Sequence, residues 1–318
     1  MSDDIPKRTA TWLTTLLSLL EDAPAVAILT IGAIKGSAPR EPGATIFVTS
    51  DKQIGTIGGG SLEFDAIAFA RLQMNKSSQG VNRLEKTFLL GPDLGQCCGG
   101  QVHLLIEIYH QDVTEDLQSL SKSGAPASFH DFTKKTLPTP FSKAHSSFHF
   151  DKQGKEMIRP LVQKTRPLYI YGAGHVGRAL QNITSGLGFT RIWVDVEAQR
   201  FPTDPDPDIT LVPARDMAVI AKNAPKDAYH IIVTYSHQID EAICHALLSS
   251  AQYGRIGLIG SQTKKARFAK RLAEAGHNAD QIADIICPIG LKEITSKDPA
   301  YVALSIAGQL AMWQEADS

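Results

Sequence analysis

A hydrophobic stretch, Leu168-Tyr169-Ile170-Tyr171, runs directly into Gly172-Ala173-Gly174-His175-Val176-Gly177 and then into a helical pattern through Leu180 and Ile183. Strand, G-x-G-x-x-G and helix in that order suit a phosphate held on backbone N–H groups at a helix N-terminus. The first glycine permits the tight turn, the second lets the phosphate approach, and the third lets helix and strand pack closely. About twenty residues on, Trp193-Val194-Asp195 closes the next strand with an acid where a ribose-binding carboxylate belongs. Gly172, Gly174, His175, Gly177 and Asp195 therefore form a candidate nucleotide site. The bland account of the same residues is tight packing, with Asp195 capping a loop.

Four further constellations carry possible chemistry. Gly36-Ser37-Ala38-Pro39-Arg40 and the run Gly55 to Gly60 leading into Ser61-Leu62-Glu63 place Arg40, Gly58, Gly59, Gly60 and Ser61 where a helix N-terminus would favour an anion. A glycine-lined turn with a structural arginine explains the pattern equally well. Gly95-Gln96-Cys97-Cys98-Gly99-Gly100 sets two thiols between glycines, which keeps a thiol accessible. Adjacent cysteines make a poor zinc pair, and a buried apolar cysteine is the other reading for one of them. Thr234-Tyr235-Ser236-His237 with Asp240 follows a strand and offers His237 to a ligand or metal. Gly260-Ser261 opens a basic helix with Ser261 as its cap.

The elements that would hold these residues fall into two patterns. Trp12 to Leu20 reads as an amphipathic helix. Ala25 to Ile31, Ala44 to Thr49, Phe88 to Leu90 and Val102 to Ile108 read as strands, with a helix opened by Ser61 as N-cap between them. A helix over Val113 to Ser121 is followed by a weakly patterned stretch to Lys164, read as a closing hairpin around Asp151 to Gly154 plus a linker. From Pro167 the chain becomes regular: apolar strands at 168–171, 191–194, 209–212, 230–234 and 255–259 alternate with helices. Such alternation demands a parallel sheet with right-handed crossovers. The expectation is an α/β protein: a smaller N-terminal α/β domain over residues 1–160, and a C-terminal Rossmann-type doubly wound parallel sheet over 166–318.

Composition narrows the partners. With 318 residues, 43% hydrophobic and 20% charged, the chain has ordinary globular make-up and length for two domains. Its formal net charge of −1 offers no basic excess for nucleic acid, and no run reaches the roughly 20 apolar residues needed to span a bilayer. The four cysteines, two of them adjacent, suit no disulfide framework, so a reducing, cytoplasmic setting is expected.

Taken in order, Gly36-Ser-Ala-Pro-Arg40, Gly55-Thr-Ile-Gly-Gly-Gly60-x-Leu-Glu63, Gly95-Gln-Cys-Cys-Gly-Gly100, Gly172-Ala-Gly-His-Val-Gly177, Gly257-Leu-Ile-Gly-Ser261 and Pro288-Ile-Gly-Leu291 resemble the XdhC/CoxI family of xanthine dehydrogenase accessory proteins. The resemblance covers nearly the whole chain apart from its middle. It implies a chaperone that binds the molybdenum cofactor (molybdopterin), protects it, assists its sulfuration and inserts it into xanthine dehydrogenase or a related molybdenum hydroxylase, without itself turning over purine. Implied partners are the molybdenum-binding subunit of xanthine dehydrogenase, a cysteine desulfurase and cofactor-biosynthesis proteins, and a second copy of the chain in a homodimer. Cofactor would sit between the two domains, its phosphate on a glycine loop and its molybdenum near Cys97 or Cys98. Where the family often reads Thr-His-Asp-His, this chain has Thr234-Tyr235-Ser236-His237, which removes one histidine and weakens a metal there. An NAD(P)-dependent oxidoreductase is the alternative, although no acid/base pairing for hydride transfer is visible.

Overall fold

The computed structural model describes residues 11–76, 78–90, 100–143, 148–162 and 165–317. The chain divides into two compact units, Met1–Lys164 and Thr165–Ser318.

In the first unit, α1 (Trp12–Asp22) leads into β1 (Ala25–Lys35), β2 (Thr45–Val48), β3 (Gln53–Gly55), α2 (Gly60–Met74), β4 (Val81–Leu89), β5 (Gln101–His110) and α3 (Thr114–Lys122). The five strands form an antiparallel sheet in the order β3-β2-β1-β5-β4. β1 reads as a continuous apolar run because both its faces are covered. Ala25, Ala27, Leu29 and Ile31 meet α2, while Val26 and Ile28 meet α1 and α3.

Beyond α3 the expected hairpin and linker are replaced by a second antiparallel sheet. Its strands are β6 (Ala127–Asp131), β7 (Thr139–Phe141), β8 (His149–Asp151) and β9 (Glu156–Pro160), in the order β7-β6-β9-β8. The Asp151 turn does join β8 to β9. The rest escaped the sequence pattern because these strands have only three to five residues, too short for a two-residue period to register. Leu105 of β5, Phe132 and Met157 form a small core for this sheet.

The second unit comprises β10 (Arg166–Tyr171), α4 (His175–Thr184), β11 (Phe189–Asp195), β12 (Ile209–Pro213), α5 (Met217–Lys222), β13 (Tyr229–Ile232), α6 (His237–Ser250), β14 (Arg255–Leu258), α7 (Gln262–Glu274), α8 (Ala279–Ala283), β15 (Ile285–Ile286) and α9 (Pro299–Ala316). All six strands run parallel, in the order β12-β11-β10-β13-β14-β15, so the strand sequence reverses direction between β10 and β13. In an open α/β sheet, ligands bind outside the carboxyl ends of the strands at such a reversal. α4 and α9 cover one face; α5, α6 and α7 cover the other. At the opposite, amino-terminal edge Asp317 gathers Arg166, Arg255 and Tyr229, the tyrosine hydroxyl donating at 2.7 Å.

Candidate functional site

The carboxyl edge of the parallel sheet gathers the candidate residues of the second unit. Gly172 turns the chain out of β10 with φ +115°, and a Cβ there would stand 2.6 Å from the Val233 carbonyl oxygen. At Gly177 a Cβ would lie 2.0 Å from the Gly172 carbonyl oxygen, so this position is fixed by helix-against-strand contact. At Gly174 a Cβ would meet nothing within 4 Å, which leaves the face of the turn open. His175, first residue of α4, is exposed beside it.

Asp195 does not stand free at the tip of β11. It is fully buried, and its Oδ2 accepts the Ala173 N–H at 2.5 Å. Oδ1 accepts the Val196 N–H at 2.7 Å and lies 2.6 Å from Arg200 Nε. Trp193 Nε1 donates to the Gly172 carbonyl at 3.0 Å, so both sides of this tip pin the glycine turn. The expected ribose-binding role therefore fails on geometry: a carboxylate with both oxygens engaged and no solvent exposure cannot also receive two hydroxyls.

After β13, Thr234 and Ser236 shape the loop, and Ser236 caps α6, of which His237 is the first residue. His237 is exposed and meets the Phe268 ring edge-on at 6.4 Å. Asp240 is buried, accepting Thr234 Oγ1 and Lys264 Nζ, each at 2.6 Å. Lys264 Nζ also donates to the Ile259 carbonyl at 2.8 Å. This ion pair ties the loop after β13 to the end of β14. Among the described residues no group of three or more His, Cys, Asp or Glu is placed to hold a metal ion. Ser261 caps α7 by accepting the Lys264 N–H at 3.2 Å.

Past β14 and β15 the edge opens into a cleft of about 870 Å³. Val176 of α4, Ile259, Pro288 and Ile289 supply apolar wall, while Lys265, Lys292 and Lys297 line it without any carboxylate among the described lining residues. Cys287 lines it too, its thiol pushed to higher pKa by burial.

In the first unit, the glycine run already holds an anion of its own. Glu63 Oε2 accepts Thr56 Oγ1 at 2.6 Å, the Ile57 N–H at 3.0 Å and the Gly59 N–H at 3.1 Å, while Thr56 Oγ1 takes the Gly58 N–H. Gly58, Gly59 and Gly60 have consecutive positive φ of 125°, 72° and 66°, a path L side chains rarely adopt. The helix begins at Gly60 with Gly59 as N-cap, so Ser61 is not the cap expected of it. Pro39 packs on Gly58, and Gly100 packs on the Ser37 carbonyl, which brings these loops to one end of the sheet. Arg40 is exposed there. Cys97 and Cys98 lie outside the described residues.

One constellation has no counterpart among the expected sites. Glu107, on β5, is fully buried and accepts Arg83 Nε at 3.0 Å, Tyr109 Oη at 2.8 Å and His130 Nδ1 at 2.7 Å, with Arg159 Nη1 3.4 Å away. Burial opposes ionisation, but His130 and the two guanidinium groups outweigh it and hold the carboxyl far below its usual range. The cluster joins β4 and β5 of one sheet to β6 and β9 of the other. Its only trace in the sequence is an acid between Ile106 and Ile108.

Residues 168–310 match the XdhC Rossmann domain, and residues 19–85 match the XdhC and CoxI family. The chain belongs to the XdhC/CoxI family. A Bacillus subtilis strain 168 protein described as a probable xanthine dehydrogenase subunit is 26% identical over 336 residues, covering 93% of this chain and 96% of the relative. An uncharacterized Escherichia coli K12 protein, YqeB, is 24% identical over 282 residues, 87% of this chain but 41% of that protein. A crystal structure from Bacillus halodurans, described as a xanthine dehydrogenase, superposes with a TM-score of 0.74 at 24% identity, covering 95% of this chain and 96% of that one. That likeness establishes a shared fold.

Proposed function

We propose that this member of the XdhC/CoxI family serves the maturation of a xanthine dehydrogenase-type molybdenum hydroxylase, as a chaperone that binds the molybdenum cofactor, assists its sulfuration and passes it to the enzyme. The observation that carries the reading is the lysine-lined cleft at the carboxyl edge of the second unit. Its volume lies within the roughly 300–1,000 Å³ typical of small-molecule sites. Apolar walls suit a flat pterin, and three lysines with no carboxylate among the described lining residues suit its phosphate. Lys265, Lys292 and Lys297 would hold the anionic end, and the Cys287 thiol would meet the ring system. Bound there, the cofactor would supply the molybdenum centre that the client hydroxylase requires. Cys97 and Cys98 are the proposed thiols for that sulfuration step. The client enzyme, a cysteine desulfurase and a second copy of the chain are the proposed partners, in the cytoplasm.

The test is to purify the protein from cofactor-replete cells and measure bound molybdopterin as its fluorescent oxidation product. A double charge reversal, Lys265→Glu with Lys292→Glu, is expected to lower the content at least about tenfold, since both are exposed and their loss leaves the fold intact. Unchanged content would refute the cleft as the site. Cys97→Ala and Cys98→Ala, assayed by activation of a cofactor-free hydroxylase, separate holding from sulfuration: full activation by both variants would remove the thiols from the mechanism.

A further inference from the structure

The glycine turn and the tip of β11 form a second place at the same sheet edge. Four observations define it. Asp195 is closed to any ligand by its bonds to Ala173, Val196 and Arg200. Arg200 itself is half exposed, and its guanidinium lies 4.7 Å from the ring centroid of Tyr235, an aromatic that is 65% exposed in the loop after β13. Arg178 fastens the two loops together: its Nε donates to the Ala173 carbonyl at 3.1 Å and its Nη2 to the Arg200 carbonyl at 2.5 Å. Gly174, between them, faces open space.

These contacts invert the usual logic of this position. A turn that takes a nucleotide with a free ribose presents an accessible carboxylate at the second strand's tip, to which the 2′-hydroxyl donates. A turn that takes the 2′-phosphorylated form presents an arginine instead. Here the carboxylate is buried and serves as the arginine's anchor. What faces outward is a guanidinium laid on an aromatic ring, which leaves its edge free for the bidentate bonds that phosphate accepts. The ring and the guanidinium plane together also offer a stacking surface for a purine.

We propose that the Gly172 to Gly177 turn binds a nucleotide bearing a 2′-phosphate on its adenosine ribose, of the NADP type, with Arg200 as the specificity-determining contact and Tyr235 as its platform. A nucleotide with a free 2′-hydroxyl finds no acceptor at Asp195 and binds weakly. Glu197, exposed at the start of the Arg200 turn, opposes an anion and limits the affinity. Neither Arg200 nor Tyr235 lines the lysine cleft, so the two proposals can fail independently.

Titration calorimetry on the full-length protein with 2′,5′-ADP and with 5′-AMP isolates the 2′-phosphate. The expected result is at least about tenfold tighter binding of 2′,5′-ADP, with the same order for NADPH over NADH. Arg200→Ala should bring the two probes within about twofold, Arg200→Lys should keep part of the difference as charge without the planar fork, and Glu197→Gln should widen it. Tyr235→Ala, which leaves Asp195 untouched, should weaken both probes and keeps the proposal testable if the arginine variants unfold. Equal or tighter binding of AMP or NADH, no detectable binding of 2′,5′-ADP, or a preference for cytidine 5′-monophosphate would each overturn the proposal.

Discussion

The Asp195 carboxylate accepts the backbone N–H of Ala173 at 2.5 Å, so the tip of β11 fastens the glycine turn that follows β10. The same carboxylate lies against Arg200, which makes it a joint between two loops. Asp195→Asn keeps the shape but loses the charge and turns an N–H toward one of the donors. The expected cost is about 2–3 kcal/mol, the scale of a hydrogen bond to a charged group together with the donor left unpaired. Denaturant unfolding followed by tryptophan emission measures it. A loss below about 0.5 kcal/mol would mean that the turn holds its shape without this bond.

The glycines of that turn should separate structure from binding. Gly177→Ala drives a methyl to 2.0 Å from the Gly172 carbonyl oxygen and is expected to destabilise by more than about 3 kcal/mol, or to abolish soluble expression. Gly174 has φ −73°, which alanine adopts, and open space at its Cβ. Gly174→Ala should leave stability within about 1 kcal/mol of wild type, while weakening any phosphate that approaches the turn. Thermal melts of the two variants, side by side, decide the matter.

Glu107 is expected to be the most sensitive acidic position in the first unit. Glu107→Gln leaves Arg83 and Arg159 buried without a counter-charge, a change of the kind that costs about 3–5 kcal/mol. Glu107→Leu in combination with Arg83→Met should recover part of the loss, because it removes one of the two stranded charges while Arg159 stays buried. A double-mutant cycle by urea unfolding tests this. Additive losses would show that the two side chains do not act together.

His230 supplies a pH dependence with a definite sign. Its ring is stacked with those of Tyr169 and Tyr171 at 5.4 and 6.0 Å, and burial lowers its pKa from 6.5 to about 3. Below pH 6.5 the unfolded chain takes up a proton that the folded chain refuses. Stability therefore falls as pH drops from about 6.5 toward 3, by at most about 1.4 kcal/mol per pH unit from this group. Unfolding free energies of wild type and His230→Asn, measured from pH 7 to pH 4, should diverge in slope by that one proton. Parallel curves would show that the histidine titrates normally.

The parallel sheet was legible because its central strands are covered on both faces and so read as unbroken apolar runs with glycine or a cap at their ends. The runs at 168–171 and 191–194 fall inside β10 and β11, and that at 209–212 inside β12. The sheet of β6 to β9 was illegible because strands of three to five residues carry no measurable period, and the cluster that anchors it depends on partners 23 and 24 residues from Glu107 along the chain. The glycine motifs were visible as motifs, yet spacing alone could not tell an anion supplied from outside from one supplied by Glu63, four residues beyond Gly59. The same limit applies to Asp195. Its type and position marked it as the tip of a strand, while its burial, which decides its role, depends on Arg200 and on the turn folding over it.

The meeting of Arg166, Tyr229 and Arg255 on Asp317 bears on the order in which the second unit can be assembled during synthesis. Arg166 and Asp317 are 151 residues apart, and the strands that carry the arginines and the tyrosine emerge long before their common acceptor. A ribosome adding about 5–20 residues per second leaves the amino-terminal edge of this sheet with unmatched cations for many seconds, until α9 has been made and docked. Vectorial synthesis thus delays closure of the sheet's amino-terminal edge until α9 has been made, and a nascent chain stalled before residue 317 should be an easier target for proteases than one that includes it.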